Sequence, residues 1–116
     1  MKPRDAASLW DMVEAIKRVQ EFIADVSYEE YVDNVLLHSG VERQMEILGE
    51  AARRLSNELR EEQPNIEWQK IVGLRNIIAH QYDEIQMETI WSIATSELEP
   101  LKAKIEPLMP PLPEEP

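Results

Sequence analysis

Apolar residues recur at intervals of three and four along most of the chain, which is the spacing of one face of an α-helix. The first apolar stripe lies within residues 8–25 and consists of Leu9, Val13, Ile16, Val19 and Ile23. The segment SLWD fits a helix start, with Ser8 as the capping residue and Asp11 near the positive helix end. This pattern predicts an amphipathic helix that turns its apolar side toward a core.

A second helix start is predicted at Ser27, because Glu30 follows three residues later, as in a capping box. The inward-facing residues of this helix are expected to be Tyr31 or Val32, followed by Val35 and Leu36. Gly40 interrupts the pattern and would cost about 1 kcal/mol inside a helix relative to alanine. The sequence therefore predicts a bend or a short break at Gly40.

The longest apolar stripe steps by 4, 3, 4, 3 and 4 residues and consists of Val41, Met45, Leu48, Ala52, Leu55 and Leu59. Such a stripe is typical of the core-facing side of a helix in an antiparallel bundle. A second interpretation is a helix that serves both the core and a subunit contact, since Ile47 and Ala51 broaden its apolar face. The small residues Gly49, Ala51 and Ala52 permit close approach of a neighbouring helix.

Prolines divide the second half of the chain. Pro64 ends the long helical run, and Asn65 is the predicted N-cap of the next helix. The residues of that helix expected to face inward are Trp68, Ile71, Val72 and Ile78. The last predicted helix spans about residues 84–105, and Pro100 is expected to kink it. Five prolines among the last eleven residues predict a flexible Pro-rich tail over residues 107–116.

Together these patterns predict one all-α domain over residues 1–106, an up-and-down helical bundle of four to five helices. A length of 116 residues suits a single domain. The absence of cysteine excludes disulfides, thiolate catalysis and cysteine-ligated zinc, and it suits a reducing compartment. No apolar run reaches the length of a membrane span, so we expect no membrane association and a cytoplasmic location.

The formal net charge of −11 argues against tight, sequence-independent nucleic-acid binding, which needs clustered lysine and arginine. The charge is unevenly distributed. Residues 41–80 carry six basic and seven acidic side chains, whereas residues 1–40 carry four and eight, and residues 81–116 carry two and eight. A local basic pocket is therefore compatible with the middle of the chain.

The segment RNIIAHQY, residues 75–82, brings together four side chains of complementary chemistry, namely Arg75, Asn76, His80 and Tyr82. Cleavage of a phosphodiester by its 2′-hydroxyl requires proton transfer and stabilisation of charge on the phosphoryl oxygens. A histidine titrates near neutral pH and can move the proton. An arginine can hold two phosphate oxygens in its planar fork. Neither step requires a metal or a cofactor.

Other chemistry has less support in the sequence. There is no phosphate-binding loop, no G-x-S-x-G segment and no dinucleotide-binding fingerprint. His38 and Glu42 are one helical turn apart, but one imidazole and one carboxylate are too few ligands for a metal site. We therefore predict an exposed i,i+4 contact between these two residues and no metal.

The spacing within RNIIAHQY sets a geometric condition on catalysis. On an unbroken helix, side chains five residues apart point about 140° away from each other around the axis. Arg75 and His80 would then converge only if the helix ends or distorts near Ala79, or if two subunits bring copies of the segment together.

The segment resembles the R-x-x-x-x-H-x-Y signature of the HEPN superfamily, and specifically of HepT-like toxins. The resemblance covers most of the chain. MEILGEAARRLS is similar to the long-helix segment of that family, IEWQKIVGLRNIIAHQYDEI to the segment leading into the motif, and IWSIATSELEPL to the final helix. The ordered combination of these segments is specific, whereas the spacing of arginine and histidine alone is not.

This resemblance implies a homodimer in which the motifs of both subunits line one cleft. It implies a metal-independent endoribonuclease toxin of a toxin–antitoxin system, with RNA as substrate and an MNT-type nucleotidyltransferase as antitoxin. Arg75 would stabilise the transition-state phosphate, His80 would act as general acid or base, and Asn76 would support the site's hydrogen bonds. Tyr82 would be the residue that the antitoxin silences by AMPylation.

Two further hypotheses remain open. One is a non-catalytic helical subunit that binds a nucleotide or a nucleotidyltransferase, indicated by the acidic composition and the long apolar stripe. The other is a structural dimer in which His80 caps a helix end. For Arg43, Arg53 and Arg54, surface salt bridges are favoured over RNA contacts. Glu50 is either a partner of Arg75 or an ordinary helix-surface residue.

Overall fold

The computed structural model describes residues 1–80 and 84–110, apart from the side chains of residues 80, 84 and 85. Every regular element within those ranges is helical, so the predicted all-α class is confirmed. The α-helices are α1 Pro3–Phe22, α2 Tyr28–Asp33, α3 Val35–Arg54, α4 Asn57–Glu62, α5 Trp68–Val72, α6 Leu74–His80, α7 Glu84–Ser96 and α8 Leu98–Ile105, followed by a 3-10 turn at Glu106–Leu108.

These described ranges hold more helical segments than the four to five that we predicted. Short breaks divide the predicted helices at Asn34, at residues 55–56, at Gly73 and at Glu97. The last break has a simple cause. Pro100 has no N–H for the carbonyl of Ser96 four residues earlier, and its ring clashes with that carbonyl, so α7 ends at Ser96. Close to the predicted kink, the helix is interrupted at the single residue Glu97, whose N–H still donates to the Ile93 carbonyl at 3.0 Å.

The centre of the fold is the antiparallel pair of the two longest helices, α1 and α3. Asp5 near the start of α1 meets Ser56 just beyond the end of α3. Phe22 at the end of α1 lies against Gly40 in the first half of α3. The remaining helices pack around this pair, with α5 and α6 against α3 and with α7 and α8 against α1.

The predicted apolar stripes form the core. The long stripe is buried throughout, with Val41, Met45, Leu48, Ala52 and Leu55 on or just beyond α3 and with Leu59 on α4. From α1 the core receives Leu9, Met12, Val13, Ile16 and Val19. The later helices contribute Trp68, Ile71, Leu74, Ile78, Ile90, Ile93, Ala94, Leu98 and Ile105. The core-facing interpretation of the long stripe is therefore confirmed.

Helix starts were predicted with mixed success. The capping box at Ser27 is confirmed, because Ser27 Oγ accepts from the Glu30 N–H at 3.1 Å and Glu30 Oε1 accepts from the Ser27 N–H at 3.2 Å. The predicted cap at Ser8 is wrong. Helix α1 begins at Pro3, whose fixed φ suits a first helical position, and Ser8 is buried inside the helix.

The predicted break at Gly40 is also wrong, since α3 runs through this residue. The break falls at Asn34, whose side chain accepts from the Leu37 N–H at 3.0 Å and caps α3. Because α3 starts at Val35, the side chains of its first two residues point away from the core. Val35 and Leu36, which we expected to face inward, are 69% and 86% exposed.

The predicted N-cap at Asn65 is wrong as well, because α5 begins three residues later with Glu67 in the capping position. The Trp68 side chain explains the delay. It is buried, and its Nε1–H donates to the Gln63 carbonyl at 3.1 Å, which holds the intervening residues in a turn. Trp68, Ile71 and Ile78 nevertheless face the core as predicted.

After α8, the Glu106–Leu108 turn leads the chain along the core, where Leu108 and Met109 are partly buried. The predicted flexible tail covers residues 107–116, and its part from 111 to 116 lies outside the described residues. Among residues 1–80 and 84–110, no helix has both the length and the apolar character needed to cross a bilayer.

A buried carboxylate connects the start of α1 to the residues just beyond the end of α3. Asp5 is only 3% exposed and accepts hydrogen bonds from the Ser56 N–H at 2.8 Å and the Ser56 hydroxyl at 2.6 Å. Ser56 Oγ also accepts from the Leu59 N–H at 3.2 Å and so caps α4. Burial tends to raise the pKa of Asp5, but the hydrogen bonds from Ser56 outweigh it and hold this pKa below its ordinary value of 3.8.

Asp5→Ala is expected to lower the free energy of unfolding by about 1.5–3 kcal/mol near neutral pH, because it leaves the buried Ser56 N–H without its acceptor. Since the folded pKa lies below the unfolded one, this contribution is present above about pH 4 and is lost as the pH falls through the folded pKa. Urea titrations of wild type and variant from pH 7 to pH 3 should therefore converge at low pH.

The matched control for that experiment is Asp11→Ala on the same helix. The Asp11 carboxylate is half exposed and lies 3.9 Å from Arg54, so its removal should cost no more than about 1 kcal/mol. Equal losses in the two variants would contradict the assignment of a special role to Asp5.

Candidate active site

The segment RNIIAHQY begins on α6, a seven-residue helix that packs against α3. Leu74 and Ile78 face the core, whereas Arg75 and Asn76 lie on the exposed side. His80 is the last residue of α6, and its side chain is outside the described part of the structure. Tyr82 lies outside the described residues altogether. The structure therefore shows Arg75 and Asn76 on the exposed side of the helix that ends at His80.

Arg75 has a definite partner. Its Nη1 donates to Glu50 Oε1 on α3 at 3.1 Å, while 64% of the Arg75 side chain remains exposed. Of the two interpretations of Glu50, the contact supports the partner of Arg75. An ionised carboxylate against a guanidinium orients it and leaves its other N–H groups directed at solvent.

Glu50 also binds a second arginine, because Arg53 Nε and Nη2 donate to Glu50 Oε2 at 3.2 and 2.9 Å. The hydrogen bond from Arg53 lowers the pKa of Glu50, burial opposes this, and the charges of Arg53, Arg75 and Arg54 lower it further. Glu50 is thus a carboxylate at neutral pH. The Glu50 carboxylate thus binds two guanidinium groups, and the guanidinium of Arg54, which lies 3.9 Å from Asp11, is nearby.

The other arginines form the surface ion pairs that we expected. Arg43 Nη1 lies 3.5 Å from Glu46, and Arg54 Nη1 lies 3.9 Å from Asp11. Each of these arginine side chains is more than half exposed. Exposed pairs of this kind contribute at most about 1 kcal/mol, so they leave the guanidinium groups free to exchange partners.

The close approach of α3 to the junction of α5 and α6 brings Glu50 within reach of Arg75. A Cβ added to Gly49 would lie 3.0 Å from the Ile71 carbonyl oxygen and 3.8 Å from Leu74 Cβ. Any larger residue would push α5 and α6 away from α3. The predicted close approach at the small residues is confirmed, and Glu50 is the next residue along α3.

The backbone of α6 bears on how Arg75 and His80 can act together. The helix is regular through Ala79 and its last residue is His80, so α6 ends near Ala79 without a distortion at that residue. Positions 75 and 80 are then separated by about 140° around the helix axis.

A buried polar cluster lies behind α6. Gln86 on α7 is 2% exposed, and its Nε2 donates to the carbonyls of Ile78 and Ile77 at 3.1 and 3.4 Å and to Glu42 Oε1 at 3.5 Å. The sequence reasoning did not single out Gln86. A signal was present, because Gln86 occupies the inward stripe of α7 together with Ile90 and is the polar residue on it.

His38 and Glu42 make the predicted i,i+4 contact, with His38 Nδ1 3.5 Å from Glu42 Oε2. The prediction that this contact is exposed is wrong. The two side chains are 15% and 18% exposed, because the ring of Tyr31 packs edge-on against His38 with centroids 6.0 Å apart. Across the part of the chain that the structure describes, no three His, Cys, Asp or Glu side chains are grouped in a way that could hold a metal ion.

The fold and site define a small all-α protein that presents a carboxylate-held arginine on a short helix. The chain belongs to the ribonuclease HepT-like family, whose model matches residues 12–108. The membership predicted from RNIIAHQY and its flanking segments is thereby confirmed.

Relatives align over nearly their whole length. "Putative RNase MJ1380" of Methanocaldococcus jannaschii is 38% identical over 107 residues, which cover 91% of this chain and 98% of the relative. "Putative RNase MJ1216" of the same organism is 30% identical over 110 residues, which cover 94% of this chain and 91% of the relative. "Probable ribonuclease HepT" of Thermococcus cleftensis is 28% identical over 108 residues, covering 93% and 98%. No solved structure matches the chain.

Replacing Gly40 and Gly49 by alanine in separate variants distinguishes the effect of the close approach at Gly49 on stability from the effect of helix propensity. Gly40→Ala should stabilise the protein by up to about 1 kcal/mol, because the new Cβ would meet only the Phe22 ring, at an ordinary 3.4 Å. Gly49→Ala gains the same propensity but forces a backbone carbonyl aside, which costs about 1–3 kcal/mol. We therefore expect Gly49→Ala to lower the thermal unfolding midpoint and Gly40→Ala to raise it. Equal shifts of the two unfolding midpoints in one direction would show that α5 can move away from α3 at no cost in stability.

Proposed function

We propose that this protein is a metal-independent endoribonuclease, the toxin of a toxin–antitoxin pair. The observation that carries the proposal is the Arg75 guanidinium, which is exposed, oriented by Glu50 and located five residues before His80 on the same helix. Membership of the ribonuclease HepT-like family supports the substrate class.

In the proposed reaction, the 2′-oxygen of a ribose attacks the adjacent phosphorus while the bond from phosphorus to the 5′-oxygen breaks. His80 takes the proton from the 2′-hydroxyl or supplies one to the leaving 5′-oxygen. Arg75 donates to the phosphoryl oxygens, on which negative charge grows in the transition state. Asn76 lies beside Arg75 on the exposed side of α6 and is available for hydrogen bonds to the same phosphate.

We further propose that the active form is a homodimer. Positions 75 and 80 diverge on one α6, so a shared cleft formed by two copies of this helix would allow Arg75 of one subunit to act with His80 of the other. Each active site then contains residues from both chains. Such a protein would act on RNA in the cytoplasm.

For regulation we propose an MNT-type nucleotidyltransferase antitoxin that transfers AMP from ATP to Tyr82. An adenylate at this position adds negative charge and bulk two residues after His80. It would compete with the substrate phosphate for the Arg75 guanidinium and so silence the enzyme. The alternative of a non-catalytic binding subunit was indicated by the acidic composition and the long apolar stripe, and the burial of that stripe within the chain removes the second of these supports.

Arg75→Ala and His80→Ala should each slow RNA cleavage by about 10²-fold or more when the unmodified protein is assayed in EDTA. Arg43→Ala removes an exposed arginine outside the motif and should remain within about twofold of wild type. Equal cleavage by all four proteins would mean that a contaminant is responsible and would end the proposal.

The same two variants test the shared cleft. Refolded together, Arg75→Ala and His80→Ala chains form mixed dimers in which one site retains both an intact arginine and an intact histidine. Partial recovery of activity on mixing supports the composite site, whereas no recovery despite mixed dimers assigns each site to one subunit.

Incubation with ATP and an MNT-type nucleotidyltransferase should add the mass of one adenylate to this protein and abolish RNA cleavage. Tyr82→Phe should gain no mass and stay active, because it lacks the acceptor hydroxyl. Tyr28→Phe, which alters a half-buried tyrosine on α2, should be modified like wild type. Modification of Tyr82→Phe to the wild-type extent would place the adenylate elsewhere.

A further inference from the structure

The side-chain amide of Gln86 binds the end of α6. Its Nε2 lies 3.1 Å from the Ile78 carbonyl oxygen and 3.4 Å from that of Ile77. These two residues belong to the last turn of α6, which ends at His80. Carbonyls in the last turn of a helix run out of N–H partners within the helix, so donors from elsewhere must satisfy them.

The chemistry of the cluster explains why an amide occupies this position. The three oxygens around Nε2 belong to two backbone carbonyls and the Glu42 carboxylate, and all of them are acceptors. An NH₂ group supplies two donors without a charge. A carboxylate at position 86 would face three oxygens of like polarity, and an apolar side chain would remove the donor that Nε2 supplies to them. At 2% exposure, little water is available to replace the amide.

The short length of α6 makes this contact important. A helix of seven residues is not stable by itself, so its last turn depends on tertiary contacts. Leu74 and Ile78 hold the inner side of α6 through burial, which is not directional. The Gln86 hydrogen bonds are directional and act on the turn that carries His80.

Gln86 also contacts a carboxylate on α3. Glu42 Oε1 lies 3.5 Å from Gln86 Nε2, and Glu42 Oε2 lies 3.5 Å from His38 Nδ1. Both Glu42 and His38 are partly buried on α3. The cluster therefore links α3 to α7 and α7 to the end of α6, and α3 also carries Glu50, the partner of Arg75.

We propose that Gln86 is a positioning residue for the ribonuclease reaction, which fixes the last turn of α6 and thereby places His80 relative to Arg75. This inference rests on the proposed function of His80. Gln86 is buried and cannot touch RNA, so it acts through the Ile77 and Ile78 carbonyls. Errors of about 1 Å in the placement of a catalytic group can lower the rate by about 10²-fold.

Gln86→Met tests the proposal, because methionine has a similar length and volume but no donor. We expect kcat for RNA cleavage to fall by about 10- to 100-fold while KM stays within about twofold, since the RNA-contacting surface is unchanged. Hydrogen–deuterium exchange of the amides at residues 76–80 should become faster. Exchange in the α1–α3 core should stay slow.

Ile90→Val is the matched control, because it removes one methylene from a fully buried side chain one turn further along α7 and costs about 1 kcal/mol of stability. It should keep both kcat and the slow exchange of α6. Wild-type kcat in Gln86→Met, or an equal loss in Ile90→Val, would overturn the positioning role.

The exchange measurement separates this inference from the proposed function. If wild type fails to cleave RNA, the proposed function fails, and the positioning role fails with it as a catalytic claim. Faster exchange of residues 76–80 in Gln86→Met alone would then still establish that the amide holds this turn. Unchanged exchange would reject that contact as a constraint on α6 whatever the activity.

Discussion

The candidate site depends on the close packing of α6 against α3. A seven-residue helix has no stability of its own, so its place in the molecule is decided by what it lies against. Gly49 lets α3 approach the end of α5 immediately before α6, since the Ile71 carbonyl oxygen is only 3.0 Å from where a Cβ would be. The next residue, Glu50, then reaches Arg75 at 3.1 Å. The absence of a side chain at Gly49 thus helps to determine the position of the Arg75 guanidinium.

The protein has a net charge of −11, and yet its proposed substrate carries phosphates. The uneven distribution of charge along the chain makes the two compatible. Arg53 and Arg75 bind the Glu50 carboxylate, Arg54 lies nearby and pairs with Asp11, and the lowered pKa of Glu50 keeps its carboxylate ionised at neutral pH. The acidic excess lies in residues 1–40 and 81–116, whereas residues 41–80 are nearly neutral. Repulsion elsewhere on the surface would discourage RNA from binding non-specifically. Such an arrangement suits contact with one or a few phosphates rather than with a long stretch of backbone.

The helical class and the core were predictable because both follow from periodicity, which is a property of neighbouring residues. The errors arose where competing interactions decide a boundary. Gly40 carries a helix penalty of about 1 kcal/mol. Burial of Val41 and Met45, which follow it on α3, outweighs this penalty. Asn34 offers a better cap upstream, and this moves Leu36 to the surface. Helix propensity alone cannot rank such alternatives.

The sequence by itself determined the all-α class, most of the residues that form the core and the family to which the chain belongs. It also indicated Arg75 as a residue of interest, because an arginine at that spacing from His80 has a chemical use. Only the tertiary structure decided that Glu50 holds Arg75 and that Gln86 holds the end of α6. These pairs join different helices, and a periodic pattern carries no information about which helices meet. Contacts between distant segments are settled by packing, where shape and buried polar groups must be satisfied together.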